Sequence, residues 1–245
     1  MKRSEILVGC SSYYNRKWMD IFYPADLPSK EWFAYYCECF NTYELNASFY
    51  KFPTAKSLGT WRTKSPEGFI FSVKVPKLIT HIKKFAECER EIGDFYIACR
   101  EGLKDKLGCV LFQLPPSFHY TPDRLEMILQ SVDPDYKNVI EFRNESWWTQ
   151  QVFDAFNKHK LIFCNVNYPK LPPSIVATTS TAYIRLHGNP KLFYSEYSSA
   201  ELDQIYEETR SVKNVNETFI YFNNTASTAG IINALAMQKK PGAKL

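Results

Sequence analysis

The chain has 245 residues, 45% hydrophobic and 16% aromatic, with 30 Lys+Arg against 26 Asp+Glu. That composition excludes a disordered chain, and a formal charge of +4 spread along the sequence lacks the concentrated basic footprint of a committed nucleic-acid binder. Seven cysteines at irregular spacing, mostly in apolar runs, exclude a disulfide framework, and no apolar run is long enough to span a membrane or form a signal-peptide core. The expected compartment is therefore a reducing cytoplasm.

Short β-rich runs recur along the chain with helical patterns between them. The first strand reads Ile6–Ser12, followed by a helix over 29–40; the second reads Thr42–Phe49, followed by a helix over 55–64. The third, Phe69–Val75, leads into a long segment around 83–103, and the fourth, Val110–Leu114, into a helix over 121–132. The fifth, Val139–Arg143, precedes a helix over 148–159. After the sixth, Ile162–Val166, the connection 168–181 is Pro-rich and reads as a loop at the site. The seventh and eighth, Ala182–His187 and Thr218–Asn223, precede helices over 199–213 and 227–239. Thr121-Pro122-Asp123 places Pro at the first helical position behind a hydroxyl cap, and Ser198 with Glu201 forms a capping box. Eight alternating units in this length predict one (β/α)8 TIM-type barrel over residues 1–245, irregular around the sixth connection. An open doubly wound sheet is the rival, but no glycine-rich phosphate loop follows any strand.

The strand ends carry the functional signal. Strands of a parallel sheet are buried on both faces, yet these turn polar at their C-terminal ends. Residues two apart share a side: Glu44 with Asn46, Ser72 with Lys74, Glu141 with Arg143, Asn165 with Asn167, Arg185 with His187, Tyr221 with Asn223, and Gln113 alone. The apolar residues between them, Leu45, Val73, Phe142, Val166, Leu186 and Phe222, are expected to face the helices, which turns the polar set towards the barrel axis. Barrel sites sit at that end, and burying charge there costs several kcal/mol per ion unless it is paired or wetted. The bland reading is that Glu44, Glu141, Arg143 and Arg185 neutralise one another inside the mouth.

An ordered set of motifs resembles the YecE-like family, domain of unknown function 72, from end to end. It comprises Gly9-Cys10-Ser11-Ser12 with Trp18 and Phe22-Tyr23-Pro24, then Phe40-Asn41-Thr42 running into Glu44 and Asn46. It continues through Phe71-Ser72-Val73-Lys74, Thr80-His81, Leu111 to Phe118, Glu141-Phe142-Arg143 with Ser146-Trp147, Ile184 to Gly188, and Tyr221 to Asn224. The resemblance implies a TIM-type barrel with a polar, partly cationic mouth and no settled activity. Its fold is similar to that of the endonuclease IV and sugar-isomerase barrels, by analogy alone. Cys10 departs from the family's Thr, and Asn165 and Asn167 stand where it commonly has Asp, which removes a carboxylate.

Three functions compete. The first is an enzyme, of hydrolase, lyase or isomerase type, acting on a phosphorylated or carboxylated substrate. Glu44 and His187 would exchange protons with Glu141 beside them, and Lys74, Arg143 and Arg185 would hold the anion. Gln113, Asn46, Asn223, His81, Ser12 and Trp147 complete the expected ligand-binding set. The second is a nucleic-acid-processing or -binding barrel stacking bases on Tyr13, Tyr14, Trp18, Trp147, Trp148 or Tyr194, against which the near-neutral charge argues. The third is a non-catalytic ligand-binding or assembly module. No cofactor is expected. A single divalent ion on Glu44 and Glu141 is the metal alternative, disfavoured because Lys74, Arg143 and Arg185 compete for those carboxylates. Nucleophilic catalysis by Cys10, Ser11 or Ser12 lacks an identifiable base.

Overall fold

A computed structural model describes residues 5–244. Eight strands, β1 (Glu5–Cys10), β2 (Thr42–Leu45), β3 (Ile70–Lys74), β4 (Leu107–Gln113), β5 (Lys137–Glu141), β6 (Ile162–Asn167), β7 (Thr181–Leu186) and β8 (Glu217–Phe222), form one sheet ordered β1-β8-β7-β6-β5-β4-β3-β2. Every ladder is parallel. The sheet curls into a nearly closed TIM-type barrel, with helices between successive strands except after β6, where residues 168–180 hold no helix.

Closure is completed by side chains at the β1–β2 seam, where no strand ladder forms. The Tyr36 hydroxyl accepts from Cys10 N at 2.7 Å and donates to Thr42 O at 3.0 Å, joining the two edges. Gly9 permits this approach, since a Cβ there would stand 2.4 Å from Thr42 O. The Thr42 and Tyr221 hydroxyls are hydrogen-bonded inside the barrel, and Asn46 Nδ2 reaches Ser11 O at 3.2 Å.

The helices follow the local chemistry of their sequences. They are α1 (Trp32–Cys39), a single turn α2 (Ala47–Tyr50), α3 (Ala55–Lys64), α4 (Glu89–Leu103), α5 (Pro122–Ser131), α6 (Gln150–Lys158), α7 (Ser199–Ser211) and α8 (Ala229–Gln238). On α4 the buried Ile92, Phe95, Tyr96, Cys99 and Leu103 recur at three- and four-residue steps, one stripe against the barrel. Thr121 caps α5 by accepting from Arg124 N, and Ser198 and Glu201 form the capping box of α7.

Two expectations change. The second strand stops at Leu45 rather than Phe49, and residues 47–50 turn into α2, which swings Phe49 and Tyr50 over the barrel mouth. On β6 the sides are reversed. Cys164 and Val166 belong to the apolar cluster inside the barrel, with Leu7, Leu111, Val139 and Phe219. Asn165 instead faces outward: its Nδ2 donates to Val176 O at 3.0 Å, and its Oδ1 accepts from Val176 N at 2.7 Å. The connection after β6 runs alongside that strand as irregular, partly buried backbone, whose amides need partners that a helix would have supplied internally. Asn167 also faces away, accepting from the Tyr197 hydroxyl at 2.9 Å.

Candidate functional site

At the C-terminal ends of the strands lies a cavity of ≈ 510 Å³, lined among others by Ser11, Asn46, Lys74, His81, Gln113, Arg143, Arg185 and Asn223. His81 comes from the π-helical turn Leu78–Lys83 after β3, and strand direction and pleat carry the other seven side chains inward from seven different strands.

The floor is an ion-pair network centred on Arg185. Arg185 is 1% exposed, and the two glutamates it meets are 0% exposed. Its Nε and Nη2 donate to Glu44 Oε2 at 2.9 Å and Oε1 at 2.7 Å, a two-point fork across the barrel from β7 to β2. Its Nη1 donates to Glu141 Oε2 at 2.5 Å. Glu44 also accepts from the Tyr183 hydroxyl at 2.7 Å and from Asn46 Nδ2 at 3.0 Å. Arg143 Nε donates to Glu141 Oε1, closing the chain of charges. Burial alone would raise the Glu141 pKa, but the Arg143 and Arg185 guanidiniums outweigh it and hold the carboxyl well below the usual carboxylate range.

His187 hangs from this network. Arg143 Nη2 lies 3.0 Å from His187 Nε2 and can only donate, so Nε2 accepts, while Asn223 Nδ2 stands 2.7 Å from Nδ1. Full burial, and then the Arg143 charge, lower the ring's pKa to about 3, against the pull of Glu141. His187 is therefore neutral at physiological pH and a weak base. Asn223 is in turn held by the Ser11 hydroxyl at 2.5 Å.

The wall differs from the floor. Lys74 makes no ion pair among the described residues; its Nζ rests 4.1 Å from the centroid of the Phe49 ring. Burial, then the Arg185 charge, lower its pKa to about 8. The ring face favours the ammonium by about 0.5–1 kcal/mol, which offsets part of that shift. His81 packs edge-on against the same ring, centroids 5.0 Å apart, with Nδ1 3.0 Å from the Thr80 hydroxyl. Burial and the neighbouring Lys74 lower its pKa too. Gln113 donates Nε2 to Leu114 O at 2.8 Å, which leaves its carbonyl oxygen as an acceptor at the wall.

The structure brings most of the expected site residues together. Glu44 and Glu141 have their oxygens engaged by Arg185, Arg143, Tyr183 and Asn46. That also leaves a divalent ion no free carboxylate edge, and among the described residues no group of three His, Cys, Asp or Glu side chains could hold a metal. Glu44 accepts four hydrogen bonds, and burial lowers the pKa of His187. Ser12 lies outside the cavity and bonds Tyr14 O, whereas its neighbour Ser11 faces in. Trp147 is fully buried behind β5, stacked 4.0 Å from Phe142 with its Nε1 donating to Phe118 O. Trp18 is likewise buried, with Nε1 bonded to Ser227 O. Of the proposed stacking residues only Tyr14 and Tyr194 are exposed. Cys10 is an inert core thiol, its ionisation pushed up by burial.

The aromatic part of the mouth was missed in the sequence: Phe49, Tyr50, Tyr168 and Phe193 line it. Arg143 stacks 4.2 Å above the Tyr168 ring, within the Pro-rich connection already singled out. Phe49 and Tyr50 stood at and just beyond the end of the run read as the second strand.

Comparison with known proteins agrees with this architecture. The family described as "Protein of unknown function DUF72" matches residues 7–244. The UPF0759 protein YunF of Bacillus subtilis (strain 168) is 24% identical over 240 residues, covering 84% of this chain and 85% of that protein. The crystal structure of a DUF72 family protein from Thermotoga maritima MSB8 superposes with a TM-score of 0.87 at 27% identity, covering 96% of this chain and 98% of that one. An AP endonuclease, family 2, from Brucella melitensis is similar at a TM-score of 0.55 and 12% identity, covering 94% and 97% of the two chains, which shows the barrel fold alone.

Proposed function

The chain belongs to the DUF72 family of proteins of unknown function, and on that premise we propose that its barrel mouth binds a small carboxylated or phosphorylated molecule against Lys74 and Arg143. The observation that carries this reading is the charge left over in the cavity. Lys74, Arg143 and Arg185 stand against Glu44 and Glu141, three cations to two carboxylates, and the pairing leaves Lys74 unmatched. A partly desolvated ammonium without a counter-ion is costly, and an anion 4 Å away would gain about 4 kcal/mol at an effective dielectric of 20, before its own desolvation. Arg143 uses Nε on Glu141 and Nη2 on His187, so Nη1 remains for the ligand. The groups placed to exchange protons with that ligand are Lys74 and His81, both packed on Phe49 and both shifted towards neutrality by burial.

Titration calorimetry with inorganic phosphate and with acetate at two salt concentrations tests the reading. Lys74→Met is expected to weaken binding at least tenfold. An unchanged affinity in that variant, or no binding by the wild type, rejects it.

A further inference from the structure

We propose that Lys74 is a covalent catalytic residue, whose amine forms an imine with the carbonyl group of an anionic aldehyde or 2-oxo acid bound in the barrel mouth. The proposal rests on the anion-binding reading above and names the substrate class for the same cavity.

Geometry is the first argument. A lysine that serves as a counter-ion is drawn onto a carboxylate, and both carboxylates of this cavity are occupied by Arg185 and Arg143 instead. Lys74 Nζ is left with an aromatic face on one side and the cavity on the other. Two guanidiniums nearby repel its proton, an arrangement known to activate lysines as nucleophiles. At pH 7.5 an amine titrating near pH 8 has a free-base fraction of ~0.2, against ~0.001 for an ordinary lysine, about two-hundredfold more nucleophile.

The neighbours supply what the remaining steps need. The amine attacks the carbonyl carbon, forming the C–N bond while the carbonyl electron pair moves to oxygen. His81, which packs on the same Phe49 ring and lines the same cavity, accepts a proton from the new ammonium and delivers it to that oxygen, which gives a neutral carbinolamine. His81, reprotonated from solvent, then protonates the hydroxyl, and water leaves as the C–O bond breaks and the nitrogen lone pair forms the C=N bond. One amine, one carbonyl and one proton become one protonated imine and one water, with no oxidant or metal required. Arg143 Nη1 and the Gln113 carbonyl oxygen are placed for the substrate's anionic group and a hydroxyl, respectively. Tyr50, Tyr168 and Phe193 stand at the rim of the same cavity.

The test is reductive trapping. The intact protein is incubated at pH 7.5 with sodium cyanoborohydride and pyruvate, glyoxylate or glyceraldehyde 3-phosphate in turn, then digested and mapped by mass spectrometry. The expected result is a reduced adduct at residue 74 that forms at least tenfold faster than at the average surface lysine, with a rate that rises through pH 8. Lys74→Arg, which keeps the cation, should remove that adduct while the surface lysines are labelled at the wild-type rate. Labelling of residue 74 no faster than of surface lysines, with all three carbonyl compounds, overturns the imine. Phosphate binding by the wild type in that case leaves the anion site standing, and its absence removes both readings. Selective labelling of a different cavity residue also overturns the assignment to Lys74.

Discussion

The floor and the wall of the barrel mouth are built from similar residues, yet one is closed and the other open. On the floor, Arg185 bridges Glu44 and Glu141 from the barrel centre, and Arg143 completes the chain, so every charge has a partner. On the wall, Lys74 and His81 share one aromatic ring and have no carboxylate. The difference shows that a strand-end cation is available to a ligand only if nothing across the axis has claimed it. The floor acts as a scaffold that fixes the electrostatic field, and the wall is where that field acts on a ligand.

Arg185→Met should break the comparison most severely, because it leaves two fully buried carboxylates facing each other. A loss of about 3–5 kcal/mol in urea unfolding is expected. A loss under about 1 kcal/mol would mean that the floor charges are as freely hydrated as those of the wall. The pH profile comes next. The His187 pKa is lowered to about 3 in the fold, so between about pH 6.5 and pH 3 the unfolded chain binds a proton that the native state refuses. Stability should therefore fall as pH drops through that window, by up to ~1.4 kcal/mol per pH unit and ~2 kcal/mol by pH 5. His187→Gln should flatten that slope. Glu141, with its depressed pKa, adds a further loss only below the ordinary carboxylate range.

Lys74→Met should act in the opposite direction. The folded pKa, near 8, lies below the unfolded one, so the buried ammonium costs stability at neutral pH, a cost relieved as pH rises from about 8 towards 10.5. Removing it should stabilise the protein at pH 7 by on the order of 1 kcal/mol while anion binding is lost, a trade expected of a binding residue. Destabilisation by Lys74→Met would place Lys74 with the scaffold. The smallest contrast is between adjacent serines. Ser11→Ala removes the hydroxyl held to Asn223 and should cost about 1 kcal/mol, whereas Ser12→Ala should stay within ~0.5 kcal/mol and leave binding unchanged.

The barrel itself was legible in the sequence. Eight β-rich runs alternating with helical patterns and caps such as Thr121 and Ser198 follow local rules of period and hydrogen bonding, so each element is visible within about a dozen residues. The polar strand ends were legible for the same reason, since a two-residue period declares which side chains travel together. That period failed on β6, where Asn165 and Asn167 are polar for a different reason: a helix-free connection needs its backbone paired from the strand it covers.

Which charges cancel could not be read along the chain. The pairing of Arg185 with Glu44 spans 141 residues, and that of Arg185 with Glu141 spans 44. Both depend on how far each side chain reaches across the closed barrel, not on neighbours in sequence. The sequence by itself determined that polar and charged side chains gather at the strand ends, on every strand it named except β6, whose Asn165 and Asn167 face away. Only the tertiary structure decided that Arg185, Arg143 and both glutamates hold one another, because pairing is set by distance across the axis. It thereby left Lys74 as the cation of that mouth with no carboxylate partner.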